Sequence, residues 1–169
     1  QPEITQEDGT IVPGINHYAK EKTQAALAVG AIFGTILAAL AAGNFGRRIT
    51  YALLCLGSVG TALFFYQGHD AFNGSFLFAA VLAGAVTAGF YGFFPLYFPE
   101  LFPTAVRATG QGFAFNFGRV IAAIGGLQTA NLKAYFDGNL PKAGSALAAI
   151  YLIGVVIVWF GPETKGQDL

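Results

Sequence analysis

Arg119 is the residue in this chain whose chemistry most needs explaining. It is the single charged side chain between Ala108 and Leu132, and the preceding stretch from Ala71 to Pro99 holds none. A guanidinium stays ionised at physiological pH and presents a planar fork of donors that matches a carboxylate through two parallel hydrogen bonds. Within an apolar run such a group is costly, and it marks either a binding pathway or a buried ion pair. Helical spacing sets Gly112, Asn116, Arg119, Ala123 and Gly126 on one stripe. Small and polar residues in a stripe belong inside a helix bundle rather than against lipid. Arg119, with Asn116 beside it, therefore reads as a cation for an anionic substrate group. The alternative is an arginine paired with a carbonyl or with an acid elsewhere in a longer chain.

A second set of candidates lies in the loops. Arg47 and Arg48 follow one apolar run, Glu100 and Arg107 bracket the turn after another, and Glu163 follows the last. Opposite charges at neighbouring helix ends can pair and hold one side of a bundle closed; the blander reading is a solvated rim that anchors the ends. Thr87, Tyr91 and Pro95 recur at four-residue spacing and share a helix face. Pro95 and Pro99 remove two backbone donors and should loosen that helix near its end. His17 and His69 fall in polar loops and read as solvated. No metal-ligand, nucleophile-elbow or phosphate-loop motif occurs, so hydrolysis, metal chemistry and ATP-driven pumping have no support in this chain, and no cofactor is expected. The one cysteine, Cys55, can form no disulfide within the chain.

The elements that must position these residues are long and apolar. Of 169 residues, 54% are hydrophobic and only 11% charged, about half the charged share of a soluble domain. Crossing roughly 30 Å of hydrocarbon takes about 20 helical residues. Five runs meet that length: about Thr23 to Ala42, Ile49 to Tyr66, Ala71 to Phe98, Arg107 to Leu132, and Ala143 to Phe160. They lack the two-residue alternation of barrel strands. The expected fold is all-α, a membrane helix bundle of five transmembrane helices with no sheet. Residues 1–22 are expected to be a polar loop or linker, 23–166 the bundle, and 167–169 a tail. Arg119 would lie about 18 Å along its helix from Arg107, too deep for easy snorkelling to the near interface. The chain starts at Gln1 and contains no methionine, so it is expected to be the carboxy-terminal piece of something longer. A zero formal net charge gives no sign of a nucleic-acid partner. Counting basic residues does not orient the bundle, because Arg47, Arg48, Arg107 and Lys165 on one side face Lys20, Lys22, Lys133 and Lys142 on the other.

The loops carry a resemblance. Gly46-Arg47-Arg48, then Pro99-Glu100-Leu101-Phe102-Pro103-Thr104-Ala105-Val106-Arg107-Ala108-Thr109-Gly110, then Pro162-Glu163-Thr164-Lys165-Gly166 resemble, in order and spacing, the carboxy-terminal half of a major facilitator superfamily transporter. The likeness covers about Thr23 to Gly166, the last five of that family's twelve helices. The middle string is specific, and the ending resembles the sugar porter branch. Ala39, Gly43 and Asn44 stand where the family's fuller first loop has glycine, aspartate and arginine. The Gly118-Arg119 pair resembles instead the branches that carry organic acids with protons, including the aromatic-acid and sialic-acid symporters.

The resemblance implies a secondary transporter in the plasma (inner) membrane, with these loops and the carboxy terminus cytoplasmic. Its partners would be a small-molecule substrate, the lipid bilayer, the N-terminal half of the same chain and a coupled proton. It implies substrate contacts from Arg119, Asn116, Tyr91 and Thr87, and a cytoplasmic gating network of Arg47, Arg48, Glu100, Arg107 and Glu163. Tyr91 is equally readable as an aromatic packed between helices. The favoured cargo is a carboxylate. A neutral sugar is the runner-up, and a membrane scaffold or membrane-embedded enzyme is the alternative from another class.

Overall fold

The structure is a computed structural model that describes residues 3–5, 11–13, 18–68 and 72–166; His17, His69 and the tail 167–169 lie outside them. Four helical stretches are long and apolar enough to cross a membrane: α1 (Ala19–Phe45), α2 (Arg47–Gln67), α3 (Gly74–Leu101) and the stretch Pro141–Phe160. That last span comprises α6 (Leu140–Ala148), α7 (Ile150–Ile157) and a closing 3-10 turn at Val158–Phe160. In hydrocarbon every backbone N–H and C=O must be satisfied within the segment, and helices do this. The fold is an all-α bundle of an integral membrane protein.

The five expected helical stretches are all present, and two details differ from expectation. α4 (Arg107–Leu127) has 21 residues and so the length of a span, but it is not among the four stretches apolar enough to qualify. Arg107, Gln111, Asn116 and Arg119 are distributed along it, a composition suited to a helix that faces a cavity. After Gln128 it continues as the short α5 (Thr129–Tyr135). The second difference concerns the amino-terminal region, where a small sheet was not expected. β1 (Glu3–Thr5) and β2 (Ile11–Pro13) pair antiparallel, with Ile4 opposite Val12. Ile4, Thr5, Ile11 and Val12, all β-branched, are the sequence signal for strands there. α1 also begins at Ala19, four residues before the expected start of the span.

α1 packs chiefly on α3, and α2 sits between α3 and the α6–α7 span. The α1–α3 contact is made by glycine. A Cβ placed on Gly34 would lie 1.9 Å from the carbonyl oxygen of Ala85, and one on Gly84 would lie 2.2 Å from that of Leu27. Small residues let two membrane helices approach backbone to backbone, where dispersion rather than water exclusion holds them. The other face of α1 carries Ile32, Phe33, Ile36, Leu37 and Leu40, all exposed, as a lipid-facing surface would. Gly34→Ala is therefore expected to force α1 off α3, at about 1–3 kcal/mol for overpacking, and to lower the thermal midpoint in detergent. Gly60, also helical, has nothing within 4 Å of an added Cβ, and Gly60→Ala should leave that midpoint unchanged or raise it. Equal midpoints for the two variants would refute the tight α1–α3 seam.

α3 runs unbroken through Pro95 and Pro99 to Leu101. Its start is capped by Asn73, whose side chain accepts from the Phe76 N–H at 2.9 Å. A buried cluster of Ala42, Phe93 and Tyr97, with Tyr51, Leu54 and Phe94 packed on it, ties the ends of α1 and α3 to α2.

Candidate functional site

At one end of the bundle α1 passes into α2 through a single residue, Gly46, with φ of +93°. That left-handed conformation suits glycine, and a Cβ there would also press within 3.0 Å of the Glu163 carboxylate. The turn presents the first N–H groups of α2, which no helical carbonyl can reach. Glu163 takes them: one carboxylate oxygen accepts from the Arg47 N–H at 2.8 Å, the other from the Arg48 N–H at 3.0 Å. A carboxylate at a helix N-terminus is favoured by both the free donors and the helix dipole. Burial opposes charge on Glu163. The three N–H groups of Arg47, Arg48 and Lys165, with the Arg47 guanidinium nearby, outweigh it and hold the carboxyl below its usual range.

Arg47 then reaches across to α3. Its Nε donates to Glu100 Oε2 at 2.9 Å and its Nη2 to Oε1 at 2.5 Å, a bidentate pair whose side chains are 12% and 10% exposed. Its Nη1 donates to the Ala42 carbonyl at 2.7 Å, satisfying an end of α1 as well. The buried Thr164 hydroxyl donates to Glu100 Oε2. Arg48 donates from Nε to the Gly161 carbonyl at 2.8 Å. The Tyr97 hydroxyl donates to the Pro162 carbonyl at 2.9 Å, and Lys165 Nζ to the Asn44 carbonyl at 2.6 Å. One hydrogen-bonded network thus locks the ends of α1, α2 and α3 to residues 161–165.

Of the five charged residues singled out in the loops, four lie together: Arg47, Arg48, Glu100 and Glu163. Arg107 stands apart. Its guanidinium turns back on its own loop, to the Phe102 carbonyl at 3.4 Å and the Thr104 hydroxyl at 3.3 Å, because Pro103 and Thr104 fold the chain against the start of α4. Sequence reasoning missed Gly46, Tyr97, Gly161 and Thr164 as partners. Thr164 is legible in the sequence only as part of the closing motif, Gly161 lies just before that motif, and Tyr97 is one aromatic among several in an apolar helix.

Away from this network the helices enclose an open cavity of about 1290 Å³, which Thr87, Tyr91 and Arg119 line. Arg119 is the one charged residue among those that line it, and no described acid pairs with it. Its Cζ lies 5.5 Å from the centroid of the Phe115 ring. The Thr87 hydroxyl donates to the Ala83 carbonyl one turn back, at 2.6 Å, and keeps its acceptor capacity. Tyr91 is 63% exposed, so it is no packed spacer between the described helices. Asn116 departs from expectation: it does not line the cavity, and its Nδ2 donates to the Gly112 carbonyl at 2.8 Å. From α4 the cavity is lined by Ala114, Phe115, Gly118, Arg119, Ile121, Ala122, Gly125 and Gly126, so Arg119 and Gly126 of the expected stripe face it while Gly112, Asn116 and Ala123 do not. Tyr151 of α7 and Phe90, Phe94 and Phe98 of α3, which also line the cavity, form a column of near-parallel rings with centroid spacings of 5.8, 5.8 and 4.8 Å.

The comparisons with known proteins agree with this architecture. Residues 17–169 match the family described as "Sugar (and other) transporter". The chain belongs to that transporter family. This accords with the major facilitator resemblance carried by its loops. It is 40% identical over 140 residues to a cis,cis-muconate transport protein of Acinetobacter baylyi, covering 79% of this chain and 32% of that protein. It is 31% identical over 143 residues to the inner membrane metabolite transport protein YhjE of Escherichia coli, covering 81% and 32%. It is 28% identical over 136 residues to the niacin transporter NiaP of Acinetobacter baylyi, covering 80% and 30%. The chain thus spans about a third of the length of these curated relatives. No solved structure matches it significantly.

Proposed function

We propose that this chain is the carboxy-terminal part of a secondary transporter that moves a small organic carboxylate by alternating access, coupled to protons. The observation that carries the reading is the lone Arg119 in the cavity, a cation with no described acid beside it. Such a group needs an anion when the cavity is dry. The aromatic column supplies an apolar wall for a flat body, while Thr87 and Tyr91 supply hydroxyls. The names of two relatives, which specify muconate and niacin, support an organic acid as cargo. The bilayer would be the plasma membrane, with the Arg47–Glu100–Glu163 network on the cytoplasmic side, as the loop resemblance implies and as the inner-membrane name of a relative supports. That network would hold the cytoplasmic end closed in one of two states. No carboxylate among the described residues lines the cavity, so the proton carrier is assigned to a part of the protein outside them.

A neutral sugar is favoured by the family's description and by the Pro162-Glu163-Thr164-Lys165-Gly166 ending. Against it stands the cost of an unpaired cavity cation that such a cargo would not neutralise. Uptake of labelled cis,cis-muconate, nicotinate and glucose into proteoliposomes holding the full-length protein decides between them. Carboxylate uptake that rises with an inward proton gradient is the expected result. Glucose uptake that neither carboxylate competes would overturn the proposal.

A further inference from the structure

A second hollow, of about 260 Å³, lies beside the cavity that holds Arg119, and Phe94, Pro95, Phe98, Gln111, Gly112 and Phe115 line it. Three of those rings, Phe94, Phe98 and Phe115, line the large cavity as well. They therefore stand as the wall between the two. The small hollow lies toward the charge network, since its residues are the later ones of α3 and the earlier ones of α4. Phe94 and Phe98 stack at 4.8 Å with planes 19° apart and form one plate on α3. Phe115 is the part of the wall contributed by α4, and it carries Arg119, whose guanidinium carbon is 5.5 Å from the ring centroid. That attraction is electrostatic, between a cation and the ring's negative face. An anion that neutralises the guanidinium weakens it.

We propose that Phe115, with Phe94 and Phe98, is an aromatic partition between the substrate cavity and the network end, and that anion binding at Arg119 releases it. The proposal deepens the organic-anion reading above and rests on it. A ligand can shift such an equilibrium only through its differential affinity for the two states. Here the difference is the Arg119–Phe115 contact, present with the wall closed and surrendered when the cation turns to an anion. Pro95 gives α3 a place to yield, because it lacks the N–H that would tie that turn to the one before.

Labelling at Gly125, behind the partition, tests this. Gly125 lines the large cavity but not the small hollow, and a Cβ there meets nothing within 4 Å, so Gly125→Cys places a thiol that reagent from the network side reaches only through the partition. Cys55 is 1% exposed, and the full-length protein without the reporter supplies the background. A membrane-impermeant maleimide reads accessibility from the network side, with cis,cis-muconate and nicotinate as probes and their binding measured by equilibrium dialysis. Probe binding is expected to speed labelling on the order of fivefold, the scale of one partly desolvated cation–π contact. Phe115→Leu should label fast without a probe and lose the response, and Phe115→Tyr should restore it. A Phe115→Leu protein that labels at the parent rate and still responds overturns the partition. If Phe115→Leu does not insert, the parent's response alone decides. Probes that bind without changing the labelling rate overturn the partition and leave the carboxylate reading standing; probes that do not bind at all overturn both.

Discussion

Arg119→Ala is expected to abolish carboxylate uptake by the full-length protein while leaving its membrane insertion intact. The substitution removes the only charged group among the described residues that line the cavity and leaves its helix otherwise undisturbed, since Arg119 is exposed and contributes no described ion pair. A charge-assisted hydrogen bond is worth about 1.5–3 kcal/mol, so affinity should fall roughly ten- to a hundredfold, and transport at low substrate concentration with it. Arg119→Lys should rescue poorly, because an ammonium is a point charge that cannot present two parallel donors to a carboxylate. Equilibrium binding of labelled substrate to purified protein, alongside uptake, separates lost affinity from lost insertion. A well-inserted alanine variant that takes up the native substrate normally would sink the anion-binding role and leave Arg119 as a residue for pairing helices.

The second large effect is expected at Glu100. Glu100→Gln keeps one acceptor oxygen but removes the negative charge and the second acceptor, so the nearly buried Arg47 guanidinium loses its ion pair and faces an amide NH2 where it had a bidentate carboxylate. Removing one partner of a buried pair costs about 3 kcal/mol at the low end, and tenfold in an equilibrium is about 1.4 kcal/mol. If the network closes one end of the transporter, that end should open by roughly a hundredfold in population. The measurement is the labelling rate of an engineered cysteine at Thr50, which is 2% exposed and lies one turn into α2 from the Gly46 junction, so that it reacts only when this end opens. Exchanging the charges, Arg47→Glu with Glu100→Arg, should not restore closure. A carboxylate at position 47 would sit next to Glu163, whose oxygens accept from the backbone N–H groups of 47 and 48, and two like charges there repel. Full restoration by the exchange would show that the pair acts alone, without Glu163.

The network has a physical logic that the linear motifs do not display. Glu163 serves a helix terminus, Glu100 serves a side chain, and Arg47 joins the two while also satisfying an α1 carbonyl. Each group meets a donor or acceptor that the fold leaves open at a helix end, where water is partly excluded. If the network gates this end as proposed, opening would expose several backbone groups at once, and the closed arrangement would be a discrete state rather than one position along a continuous motion.

By itself the sequence determined the class of fold, since apolar runs of spanning length can satisfy their backbones in lipid only as helices. It also determined the family, through loop strings whose order and spacing are specific, and it singled out Arg119, because a charge within an apolar run is conspicuous in any window. The tertiary structure decided the partners. That Arg47 rather than Arg107 meets Glu100 depends on a turn at Pro103 and Thr104 that sends Arg107 back onto its own loop. That Asn116 turns from the cavity while Phe115 enters it depends on the rotation of α4 about its axis. Helical periodicity fixes which residues share a face, but the faces of the neighbouring helices fix which one looks inward. The close approach of α1 to α3 was hidden for the same reason. Glycines in a helix are visible in sequence, yet only a facing backbone, such as the Ala85 carbonyl against Gly34, turns their missing side chains into a contact.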